Sequence, residues 1–186
     1  MNYILAAFVL IFFKINLRFI DHSFFFYMTN LVGFFMVYMG IKSIGEDPVL
    51  KKMKPYVHIM VFHSFLFTIL MAFGISYDSL LLSDFYYTVW SLVILAMVGM
   101  VLTLRIFILF TKYLKDNLNL EKKKSLFIDR LVEWVVLTFI LAGIGFWIPE
   151  IRSFTMIMHL LVLAFLVIQL NACIRKEFRA NPATLD

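Results

Sequence analysis

Five long runs of apolar residues limit this chain to very few kinds of fold. They are 24–41, 56–75, 86–104, 131–147 and 154–173. Crossing the hydrocarbon core of a bilayer takes about 20 apolar residues, and about 17 is near the lower bound. The runs are continuously apolar rather than alternating, which excludes half-buried strands. Only a helix satisfies its own backbone polar groups inside lipid. The expected fold class is therefore all-α: a polytopic transmembrane helix bundle of five or six spans, with residues 1–186 forming one integral membrane domain.

Composition points the same way. Hydrophobic residues make up 63% of the 186, and 22 of them are Phe. A soluble domain is about 45–50% apolar, because it must cover itself with polar surface. The opening segment reads two ways. Tyr3 to Phe13 is cleanly apolar, but Lys14 and Arg18 follow at once. Residues 3–20 span if both basic side chains snorkel to one surface; otherwise the segment lies at the interface or enters partway.

The basic residues set an orientation. Lys42, Lys51, Lys52 and Lys54 fill one gap. Arg105, Lys112, Lys115, Lys122, Lys123, Lys124 and Arg130 fill another, and Arg175, Lys176 and Arg179 lie in the tail. These regions fall on one side, leaving only Lys14, Arg18 and Arg152 of the 17 basic residues opposite. The basic side faces the cytoplasm, so the C-terminus is cytoplasmic, and with six spans the N-terminus is too. The expected partners of these gaps are membrane lipids, including anionic headgroups, and not nucleic acid. Phe85, Tyr86, Tyr87, Trp90 and Trp147 would gather at the outer interface, with Tyr56, Tyr113 and Trp134 at the inner one. No cleavable signal sequence is evident, and the single Cys173 offers no intramolecular disulfide.

Lys14-Ile-Asn-Leu-Arg18, Asp21, Leu31-Val-Gly33-Phe34 and Gly40-Ile-Lys42 together resemble the opening of small multi-spanning membrane proteins of Gram-positive bacteria. A Pro-Asp pair expected before the Gly33 region is replaced by Tyr27-Met28-Thr29-Asn30. The resemblance implies a bacterial cell membrane and carries over no functional residue.

Few side chains suggest chemistry. His63 and His159 would lie roughly 10 Å and 8 Å in from opposite faces of the bilayer, at 1.5 Å per residue. Across a core of about 30 Å they miss each other, so no haem and no other cofactor is expected. His58, five residues before His63, points about 140° away from it. The histidines read as interhelical hydrogen bonders or as residues placed at the interface. His159 and Asn30 fall at similar depth and satisfy each other as structural glue or line a substrate site. Lys14 and Arg18 could hold a phosphate or carboxylate at the outer surface, where Asp21, His22, Asp78, Asp84, Glu150 and Arg152 also gather. Gln169 and Asn171 lie near the inner end of the last span. Arg105 and Glu133 are expected to pair across consecutive helices at the cytoplasmic edge, because an unpaired charge inside that edge costs free energy. Small residues at Ala96-x-x-x-Met100 and Ala142-Gly143-Ile144-Gly145 suit close helix approach.

Metal, nucleophile-elbow and phosphate-loop motifs are absent from the sequence. The leading functional expectation is thus a protein without enzymatic activity. It would act as an accessory, immunity or modulator subunit by packing against a membrane partner or lipid. A small transporter or lipid-handling protein is the alternative, with Lys14, Arg18, Asn30 and His159 lining its site. A membrane redox enzyme comes third.

Overall fold

A computed structural model describes residues 2–12, 23–45, 47–75, 86–117 and 122–147. It also describes helical residues at 154, 157–158, 161–162, 164–165 and 167–172. Among the described residues, the helices with defined bounds are, in chain order, α1 (Asn2–Phe12), α2 (Ser23–Ile44), α3 (Pro48–Ala72), α4 (Tyr86–Asn117) and α5 (Lys122–Trp147). The described residues hold no strand, so the fold is all-α. Among the described residues two helices, Pro48–Ala72 and the Trp90–Asn117 part of α4, are long and apolar enough to cross a membrane. The chain divides into two compact units, residues 1–110 and 111–186.

The helices outrun the apolar runs that announce them. α3 starts eight residues before Tyr56, because Asp47 caps it and Pro48 sits in its first turn. The Asp47 carboxylate accepts from Val49 N at 2.7 Å and Leu50 N at 3.1 Å. That satisfies two of the amide donors a helix start leaves open, and proline there has no amide to lose. Pro55 then lies inside α3 and lacks the N–H that would bond the carbonyl of Lys51. Gly45, with φ +101°, adopts a backbone open mainly to glycine and makes the sharp turn from α2. The far end of α3 closes through Gly74, with φ +73°. Gly74 N donates to Met71 O and Ile75 N donates to Leu70 O, both at 3.0 Å.

In the first unit, α1 lies antiparallel on α2 along a glycine seam. A Cβ placed on Gly33 would meet Ile11 Cγ1 at 2.6 Å and the Ala7 carbonyl oxygen at 3.2 Å. One placed on Gly40 would overlap Ile4. Gly33 and Gly40 are seven residues apart, two helical turns, and so share a face. Without side chains there, the two backbones come close. The buried face of α1 is Ile4, Leu5, Ala7, Phe8 and Ile11. Phe8 continues the packing to α4, edge-on to Phe107 at 5.5 Å and tilted against Phe110 at 5.1 Å.

In the second unit, the last turns of α4 run back into α5 as a helical hairpin. Thr111, Tyr113 and Leu114 of α4 and Ile128, Leu131, Val135 and Thr138 of α5 are buried. The Asn117 side chain donates to the Tyr113 carbonyl at 3.0 Å and caps the end of α4. Phe127 packs edge-on to Phe165 at 6.0 Å. Tyr113 lies in this core, while Trp134 is exposed.

Candidate functional site

Past His58, α3 carries polar side chains inward, whereas Lys51, Lys52 and His58 before that point are exposed. Its buried residues are Leu50, Met53, Val57, Met60, His63, Ser64 and Phe67. Past His58, the exposed residues of α3 are Ile59, Phe62, Phe65, Ile69 and Ala72. The polarity of this stretch is the reverse of what water selects.

His63 reaches from α3 to α4, as the interhelical reading of this residue expects. Its Nε2 lies 3.0 Å from the carbonyl oxygen of Leu95. A carbonyl only accepts, so Nε2 carries the proton and donates. The ring sits over Gly99, where an added Cβ would meet Cε1 and Nε2 at 2.6 Å. Gly99 therefore makes the room that the histidine occupies. His58, facing another way, is exposed and lies 5.1 Å from the ring of Tyr38 on α2.

Ring stacking extends this contact to α2. Phe67 lies 4.7 Å from His63 on one side, and Tyr27 of α2 stacks on it at 4.7 Å and 19°. Tyr27 opposite Phe67, with Tyr38 opposite His58, fixes the antiparallel register of α2 and α3. Three residues along α2 from Tyr27 is Asn30, and three residues back along α3 from Phe67 is Ser64. The two come level on facing helices. Both are buried, Asn30 at 7% and Ser64 at 0% exposure. The Asn30 Oδ1 and Ser64 Oγ atoms have no hydrogen-bond partner among the described residues. Thr68 and Thr103 behave differently, since their hydroxyls donate back to Ser64 O at 2.7 Å and Gly99 O at 2.8 Å.

Of the candidates read from sequence, the structure thus places Asn30 in a polar interior. Ser64 and Gly99, which the reading passed over, belong to the same interior, one turn from Phe67 and beneath His63 respectively. Lys14, Arg18 and His159 lie outside the described residues, as do Asp21, His22, Asp78, Asp84, Glu150 and Arg152. Gln169 and Asn171 are helical and half-buried.

The charged residues at the basic end have a pairing of their own. Lys115 Nζ lies 2.6 Å from both carboxylate oxygens of Asp129, joining the last turn of α4 to α5. Both partners are partly exposed, at 27% and 49%. A lysine in the last turn also faces the negative end of the α4 dipole. Counted from this pair, Glu133 comes level with Thr111, one turn further along the hairpin. Arg105, in the first unit, and Glu133, in the second, are each exposed. Comparison with family models, with curated proteins and with solved structures finds no match to this chain.

Proposed function

We propose that this chain is a multi-span protein of a bacterial cell membrane, a bundle of five or six helices with its C-terminus in the cytoplasm and, if the first segment spans to make six, its N-terminus there too. It acts without chemistry of its own, as an accessory, immunity or modulator subunit that packs against a membrane partner or lipid. One observation carries the reading: on α3 the outward stripe is Ile59, Phe62, Phe65 and Ile69, while His63 and Ser64 point in. In water such a stripe would expose large apolar area at about 25 cal/mol per Å². In lipid the same stripe is solvated, and the polar groups find partners between helices. The outward faces of α2 (Phe25, Met28, Val32, Phe35, Met39) and α4 (Trp90, Ile94, Met97, Val101) are apolar as well. These faces are the surface available to lipid or to a partner helix. The basic gaps, rich in Lys and Arg on one side only, support the orientation.

Purification from cells in mild detergent, followed by identification of what accompanies the protein, tests the role. A membrane protein retained at fixed stoichiometry is the expected result. A retained small molecule would replace this reading with a transporter or lipid-handling protein. There, exchanging Lys14→Gln and Arg18→Gln should abolish function without affecting insertion. A visible chromophore at stoichiometric intensity would replace it with a redox protein.

A further inference from the structure

We propose that Asn30 and Ser64 form an interhelical site for a single water molecule, bridging α2 and α3 inside the apolar bundle. Asn30 Oδ1 and Ser64 Oγ are both more than nine-tenths buried, and neither has a partner among the described residues. The antiparallel register set by Tyr27 on Phe67 brings them level. A buried polar oxygen left unpaired costs about 1–3 kcal/mol. Two at one level, on facing helices, make a place where one guest relieves both.

The chemistry of the two oxygens selects the guest. Oδ1 of an amide only accepts, so the guest must donate to it. The serine hydroxyl donates or accepts and tolerates either end of the guest. A cation also fits an acceptor pair, but a buried charge needs a counter-charge. Neither α2 nor α3 contains an Asp or Glu, and their ionisable groups facing this region are Tyr27 and His63. The guest is therefore neutral, and water is the smallest neutral molecule that donates twice. Buried waters typically bridge groups of this kind. The site is independent of what the whole protein packs against.

The sign of one substitution decides much of the question. Ser64→Ala removes a single oxygen from a fully buried position. If water bridges the pair, the variant loses the bridge and leaves Asn30 unpaired, so its melting temperature in detergent should fall by about 2–4 °C. If the oxygens are simply unpaired, deleting one relieves a cost and the melting temperature should rise, which would overturn the site. A direct observation accompanies it, on protein labelled with nitrogen-15 at asparagine. Cross-relaxation from water to the Asn30 side-chain amide, identified by its loss in Asn30→Leu, is expected in the wild type and absent in Ser64→Ala. No such cross-peak in the wild type, as a direct Asn30–Ser64 bond would give, overturns the proposal. Melts in sodium, potassium and ammonium chloride form the last arm. A saturable rise specific to one cation, lost in Ser64→Ala, would assign the site to an ion and contradict the neutral guest.

Discussion

The two halves of α4 are built from the same kinds of residue and meet opposite fates. In the first half, Tyr87, Trp90, Ile94, Met97, Val98 and Val101 are exposed, Val101 by 67%. In the second half, Ile106, Phe107, Leu109 and Phe110 are buried, three of them to 2% or less. Apolar character is shared, so it does not decide burial here. The difference is a partner. The second half has Phe8 of α1 against it, and α1 can lie close because Gly33 and Gly40 open α2 to it. The first half meets α3 through Gly99 and the His63 ring, with its other faces left outward. On the membrane reading proposed above, lipid-facing surface and protein core look alike in sequence, because the solvent is itself apolar.

Truncation gives the largest expected contrast. Phe110→Ala opens a cavity in a packed core and should lower stability in detergent by about 3–5 kcal/mol. Ile94→Ala, on the exposed half, should change it by less than about 0.5 kcal/mol. Equal losses at the two positions would erase the distinction between the halves.

A smaller effect is expected where the first half does touch protein. Gly99→Ala puts a Cβ 2.6 Å from the His63 ring and should displace it, at a cost of about 1–3 kcal/mol. Adding His63→Ala should recover part of that loss by vacating the space, and a double-mutant cycle measures the coupling. Strict additivity would mean that histidine and glycine do not share this contact.

The end of the second half gives the smallest effect. Lys115 and Asp129 are a partly exposed pair, so their coupling in a double-mutant cycle should be about 0.2–1 kcal/mol. It should shrink as salt is raised from low to high ionic strength. A coupling above that range, insensitive to salt, would show the pair to be shielded from solvent. The same measurement on Arg105 and Glu133 tests the pairing proposed for them, with additivity as the result that removes it.

What could be read from the sequence follows from which physical signal each feature leaves. The cores of α2 to α5 leave long apolar runs, and the structure has helices at each. Their starts leave a different signal. α3 begins at Asp47-Pro48, a capping pair plainly present, yet the apolar run points to Tyr56 because Lys51, Lys52 and Lys54 interrupt it. α5 likewise begins at Lys122, nine residues before Leu131. Charged turns extend a helix without adding hydropathy.

Asn30 was legible because an amide in an apolar run stands out. Ser64 was not, since a serine there is common and its importance comes from the register with α2. Gly33 and Gly40 lie two turns apart, but the seam they form depends on α1 lying against α2, and the role of Gly99 depends on the histidine that lands on it. The Lys115–Asp129 pair depends on the hairpin register between α4 and α5, which charge counting along one chain does not supply.

The central claim is that the apolar faces of this chain are turned to lipid across several spans. Its most direct test uses single cysteines in a Cys173→Ser background, at Ser79 and at Ser125, with an impermeant maleimide applied to intact cells. The account predicts that Ser79→Cys reacts and that Ser125→Cys reacts only after the membrane is permeabilised. Reaction only at Ser125→Cys would invert the orientation. Equal reaction at both positions on intact cells, or at neither after permeabilisation, would contradict a chain that places these residues on opposite sides of a membrane.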